Sequence, residues 1–228
     1  MSGVSRRDLL SGAAGLVVGG GGVGAASLAG GSDGTPDPGA ALPSPGEELM
    51  VEHGVLKRVL LAYRALVERI DAGAAVPRGA VTDSAQIVMD YIENFHEGLE
   101  EAYVFPRVRA AQPALVRTLL VQHDRGRHLT ARLLAAAPDL RGAGARHQVR
   151  ADLAAFVRMY EPHEAWEDTV VFPALRAATS PRTLGELAER FHDLADREFG
   201  DAALRQVLHR VEGIETQLGI ADLASFTP

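Results

Sequence analysis

The chain has 228 residues, a formal net charge of -7 and no cysteine. The acidic balance argues against a nucleic-acid or anionic-membrane partner, and the missing cysteines remove disulfides, thiolate metal sites and cysteine nucleophiles together. Aromatic residues make up only 5%, the sequence is rich in Ala, Leu and Arg, and strand-like runs are few and short, so the fold class expected is all-α.

The N-terminus reads "SRRDLL", then the uncharged "SGAAGLVVGGGGVGAASLAG". A basic start, a moderately apolar stretch and a small-x-small ending at Ser27-Leu28-Ala29 are the marks of an export signal. The pair Arg6-Arg7 and the glycine-diluted apolar stretch resemble a twin-arginine signal. The resemblance implies a signal over residues 1–29, a flexible linker over 30–46, and a mature protein in the periplasm or another extracytoplasmic space. No run reaches the ~20 apolar residues of a membrane span, so membrane contact is expected only through the signal.

From Glu47 onward, Gly and Pro punctuation predicts helices near 47–71, 83–110, 113–136, 146–178 and 182–218, the last broken near Gly200. Gly73 follows the first, Pro113 opens the third, and Ser180-Pro181 is an N-cap and N1 pair for the fifth. Short connections favour an antiparallel up-down four-helix bundle over 47–178 with a C-terminal helical extension over 179–228.

Each of the first four patterns carries one histidine on its apolar stripe. The first stripe is Leu49, His53, Leu56, Leu60, Tyr63, Val67 and Ile70, and the second is Met89, Ile92, His96, Leu99 with Glu100, and Tyr103. The third is Val116, Leu119, His123, Gly126, Thr130, Leu133 and Ala137; the fourth is Val149, Leu153, Phe156, Tyr160, His163, Glu167, Val170 and Ala174.

Two stretches repeat at an offset of 67: "FHEGLEEAYVFP" at 95–106 and "PHEAWEDTVVFP" at 162–173. "EHG" and "QHD" around His53 and His123 repeat at 70. Two halves, each supplying a lone His and an H-x-x-x-E, can pack with approximate two-fold symmetry about a shared site. Residues at i and i+4 lie about 6 Å apart on one helix face, so His96 with Glu100 and His163 with Glu167 can reach adjacent ions or share one. A buried, unpartnered glutamate costs on the order of several kcal/mol; two of them among four histidines point to a cation.

At these residues the sequence resembles the hemerythrin-like, HHE cation-binding family, over about Glu47 to Arg176. The resemblance implies a non-haem di-iron centre, two Fe ions with an oxo or hydroxo bridge, held by His53, His96, Glu100, His123, His163 and Glu167. Mn or Zn also suits such donors. Two positions depart from the oxygen-carrying members. Those have a further His four residues beyond the third-helix His, where this chain has Arg127, with His128 off the stripe. They also use an Asp at the place of Asp168; the internal repeat instead selects Glu167, which pairs with Glu100, and turns Asp168 and Glu101 outward.

The function expected is binding, sensing or scavenging of O2, peroxide or nitric oxide. The alternatives are a di-iron oxidoreductase or iron-centre repair enzyme with a redox partner, and a metal-free structural bundle. His128, His147 and His209 are expected in solvent and His192 in a structural role. Tyr63, Tyr103 and Tyr160 read as core, and Phe105-Pro106 and Phe172-Pro173 as closing the end of the bundle. A ferritin-like E-x-x-H reading, on Glu93 with His96 and Glu189 with His192, is not supported by the repeat.

Overall fold

The computed structural model describes residues 42–200 and 202–228; the expected signal and most of the linker lie outside the described residues. Those residues are helical, without strands. Helix α1 spans Pro45–Asp71 and starts two residues before the predicted point, because Ser44 builds a capping box: its Oγ accepts from the Glu47 N–H, and Glu47 Oε2 accepts from the Ser44 N–H at 2.8 Å.

Helix α2 covers 78–108 as one run of five segments: α-helical Arg78–Ile87, π-helical Val88–His96, α-helical Glu97–Leu99, π-helical Glu100–Val104 and α-helical Phe105–Val108. Helix α3 spans Pro113–Ala136. Helix α4 covers 143–178, with a π turn at Glu167–Val171 between α-helical Ala143–Trp166 and Phe172–Ala178. Pro162 lies inside that first part without ending it. The expected break at Gly200 is real: with φ +76°, this glycine separates α5, Pro181–Phe199, from α6, Ala203–Leu218.

Helix α1 packs along α4 and α2, and α3 packs along α4 and α2, so the four close into a ring of neighbours. The apolar stripes of all six helices merge into one core. Helix α6 lies over α1 and the first segment of α2, with α5 beside α1. No helix among the described residues is long and apolar enough to cross a membrane.

The π turns correct the predicted stripes. A π turn closes i→i+5 and inserts one residue into the α-helical count, so beyond Glu167 the buried positions are Val171, Phe172 and Leu175 rather than Val170 and Ala174. Beyond Glu100 they are Val104, Phe105 and Val108, while Tyr103 is half-buried. Pro106 and Pro173 stand just after these turns and bring no N–H, which leaves a carbonyl one turn back without its helical donor.

Candidate metal centre

The four stripe histidines meet in the middle of the ring, one from each helix, and none is more than 4% exposed. They form two pairs: His53 and His96 face each other with Nε2 atoms 3.1 Å apart, and His123 and His163 at 3.3 Å. Two carboxylates span the pairs. Glu100 places Oε1 3.6 Å from His96 Nε2 and Oε2 3.5 Å from His123 Nε2, and Glu167 Oε2 lies 3.4 Å from His53 Nε2 and 3.1 Å from His163 Nε2. All six residues named from the sequence are thus brought together.

The outer nitrogens explain the tautomers. His53 Nδ1 lies 2.7 Å from Asp168 Oδ1, His96 Nδ1 2.9 Å from Glu52 Oε2, His123 Nδ1 2.9 Å from Glu101 Oε1, and His163 Nδ1 3.0 Å from Gln122 Oε1. Each oxygen can only accept, so in a neutral imidazole the proton sits on Nδ1 and the Nε2 lone pair faces the centre. With all four rings neutral, four such lone pairs point inward; His53, against the burial that lowers it, is pushed up to about 10 by its hydrogen bonds to Asp168 and Glu167, so a cation there would take the place of its second proton. The four oxygens of Glu100 and Glu167 are buried and accept no hydrogen bond.

That arrangement fits a cation. Burial, then the charge of Glu167, pushes the Glu100 carboxyl well above its ordinary range; a bound ion would remove that penalty. Two imidazole nitrogens at about 2.1 Å from one ion and roughly at right angles would be about 3 Å apart, close to the separations within both pairs. Ligand atoms of Glu100, His123, His163 and Glu167 lie within 4.8 Å of one another, as do those of His53, His96 and Glu100.

Two expectations are corrected here. Asp168 and Glu101 do not simply turn outward: each is one-third exposed, and each carries the hydrogen bond that orients a lone histidine. The hydrogen bond from His123, opposed by burial and helped by Arg127, holds Glu101 down to about 2. Phe105 and Phe172 do more than close an end. Phe105 stacks on His123 at 5.4 Å and Phe172 on His53 at 5.6 Å between ring centroids, while the prolines stay at the surface.

The repeated stretch therefore has a complete use. Each copy supplies a site histidine, a spanning glutamate, and then an orienting carboxylate and a phenylalanine for the lone histidine of another helix. Glu52 and Gln122 escaped the sequence reading, although both stand in the quoted triplets, one residue before a lone histidine. Their partners are distant in sequence, so spacing alone could not find them.

Around the centre, Arg127 bridges Glu97 and Glu101, each at 2.8 Å, and Tyr160 donates to Glu97 Oε1 at 2.6 Å. Burial pushes Glu97 up to about 8 against these two partners. His128, His147 and His209 are exposed. His192 on α5 lies 3.3 Å from Asp196 and outside the centre. Glu93 accepts from Thr130 at 2.5 Å and Glu189 is exposed, so the ferritin-like pairs are not assembled.

The family model described as "Hemerythrin HHE cation binding domain" matches residues 44–175 and again 114–226. The second match begins at α3, one helix pair later, as the internal repeat requires; His192 stands in "FHD" 69 residues after His123. The chain is 46% identical over 200 residues to an uncharacterized protein of Mycobacterium bovis and to uncharacterized proteins of two Mycobacterium tuberculosis strains, covering 86% of this chain and 78% of each relative. No solved structure matches the chain.

Proposed function

Because the chain belongs to the hemerythrin HHE cation-binding family, we propose that it is an exported protein whose antiparallel four-helix bundle holds two non-haem iron ions and uses them to bind, sense or scavenge O2, peroxide or nitric oxide. One observation carries the reading: Glu100 and Glu167 each lie within 3.6 Å of one member of both histidine pairs, the disposition of carboxylates shared by two ions. His53 with His96 would hold one ion and His123 with His163 the other. When bound, the irons supply redox-active positions for a small oxygen or nitrogen ligand.

The chain's own residues set the conditions for that chemistry. Asp168, Glu52, Glu101 and Gln122 fix the imidazoles in the tautomer that offers Nε2. Phe105 and Phe172 cover the lone histidines with apolar rings, and the burial of all six residues keeps bulk water out. With Arg127 paired to Glu97 and Glu101, no fifth histidine stands at that position, which favours reaction at the centre alongside reversible binding.

Elemental analysis of the mature chain, with absorption spectra recorded under air and anaerobically, tests the reading. The expected result is about two irons per chain and oxygen-dependent charge-transfer bands. Folded protein that takes up no metal after iron loading would leave the histidines as packing, and a Glu100→Ala, Glu167→Ala double variant with unchanged metal content would overturn the shared-carboxylate centre.

A further inference from the structure

The six residues of the centre are 0–4% exposed, so a hydrated cation needs a route to them. The internal repeat offers two equivalent flanks. On each, a buried glutamate follows a site histidine, Glu97 after His96 and Glu164 after His163, and faces a basic residue four positions beyond a lone histidine, Arg127 or Lys57.

The flanks are closed to different degrees. Glu97 is held on both oxygens: the Tyr160 hydroxyl donates to Oε1, and Arg127 Nη2, which also donates to Glu101, lies 2.8 Å from Oε2 as an ion pair. Glu164 is 1% exposed and neither oxygen accepts a hydrogen bond of good geometry; its charge partner is Lys57 Nζ at 3.0 Å, on a side chain 51% exposed. Lysine is a compact, hydrated point charge on a flexible stem, and Lys57 pairs with Glu164 where Arg127 spans two carboxylates. Asp168, one helical turn beyond Glu164 and one-third exposed, continues the carboxylate line to the surface. Glu167, three residues from Glu164 on the same helix, continues it inward to His53 and His163.

We propose that the Lys57–Glu164 flank is the loading port for the metal: the ammonium of Lys57 occupies the entrance, an incoming divalent cation displaces it to solvent, and Glu164 with Asp168 passes the ion to Glu167. Lys57 and Glu164 are positioning groups here, outside the final ligand set. The inference rests on the metal-binding reading above.

The test is the rate at which the metal-stripped full-length chain takes up Co2+, followed by stopped-flow absorption, with final stoichiometry by elemental analysis. Glu164→Gln is expected to slow loading about tenfold with the end point unchanged, Lys57→Ala to speed it, and Glu97→Gln to alter it by less than about twofold. Lys57→Ala, at a half-exposed position, keeps the test decisive should Glu164→Gln not fold. Loading at the wild-type rate in either Glu164→Gln or Lys57→Ala, or equal slowing in Glu97→Gln and Glu164→Gln, overturns the port while leaving the metal centre standing. A wild-type chain that takes up no Co2+ overturns both.

Discussion

Gly126 is the residue whose side chain the fold cannot accept. A Cβ there would meet the Tyr160 hydroxyl oxygen at 2.0 Å and Cζ at 2.8 Å, and Tyr160 is buried and donates to Glu97. Glycine inside a helix costs about 1 kcal/mol relative to alanine, so propensity alone predicts that Gly126→Ala stabilises. Steric overlap outweighs it: Gly126→Ala should destabilise by about 1–3 kcal/mol in chemical denaturation. Tyr160→Phe in the same chain should recover part of the loss, since the closest contact is to the hydroxyl. A more stable Gly126→Ala protein would mean that the ring simply moves aside.

The unit of function in α2 and α4 is a helix with a π turn that starts at its spanning glutamate. A uniform α-helix would hold one stripe, and the residues beyond Glu100 and Glu167 would drift off the buried face by the usual count. The extra residue re-aims Phe105 and Phe172 onto the lone histidines while Glu101 and Asp168 reach the outer nitrogens. Orienting partners of this kind are worth 10–100-fold in metal affinity. Asp168→Ala should therefore weaken binding by about that factor in a chelator competition, with helix content unchanged by circular dichroism. Undiminished affinity would reduce the Asp168–His53 contact to a surface ion pair.

Across the whole molecule, α5 and α6 are built into the core. Leu204, Val207, Val211, Ile214 and Leu218 of α6 are buried, and Arg58 of α1 donates to both oxygens of Glu215 at 2.8 and 2.6 Å. Burying an aliphatic side chain contributes about 1.5–3 kcal/mol, an upper range once residual burial in the unfolded chain is counted. A chain truncated after Thr179 should lose on the order of 5 kcal/mol and aggregate through the bared face of α1, as read by thermal melting and light scattering. A truncated protein as stable as the full chain would make α5–α6 a separate appendage.

The sequence by itself determined the helical elements and the inward set His53, His96, Glu100, His123, His163 and Glu167, because helical periodicity and an internal repeat are local properties that survive in one dimension. Gly200 likewise acts within a turn of itself; the Ser44 capping box is just as local but escaped the sequence reading, and α1 starts two residues before the expected point. Tertiary structure alone decided which histidines pair, which carboxylate orients which ring, and that Asp168 and Glu101 are hydrogen-bond partners despite their partial exposure. It also decided the shift of the stripe from Val170 to Val171. The reason is one of range: a π turn and a hydrogen bond across helices are settled by what packs against them, and neither leaves a period in the chain that a local count can detect.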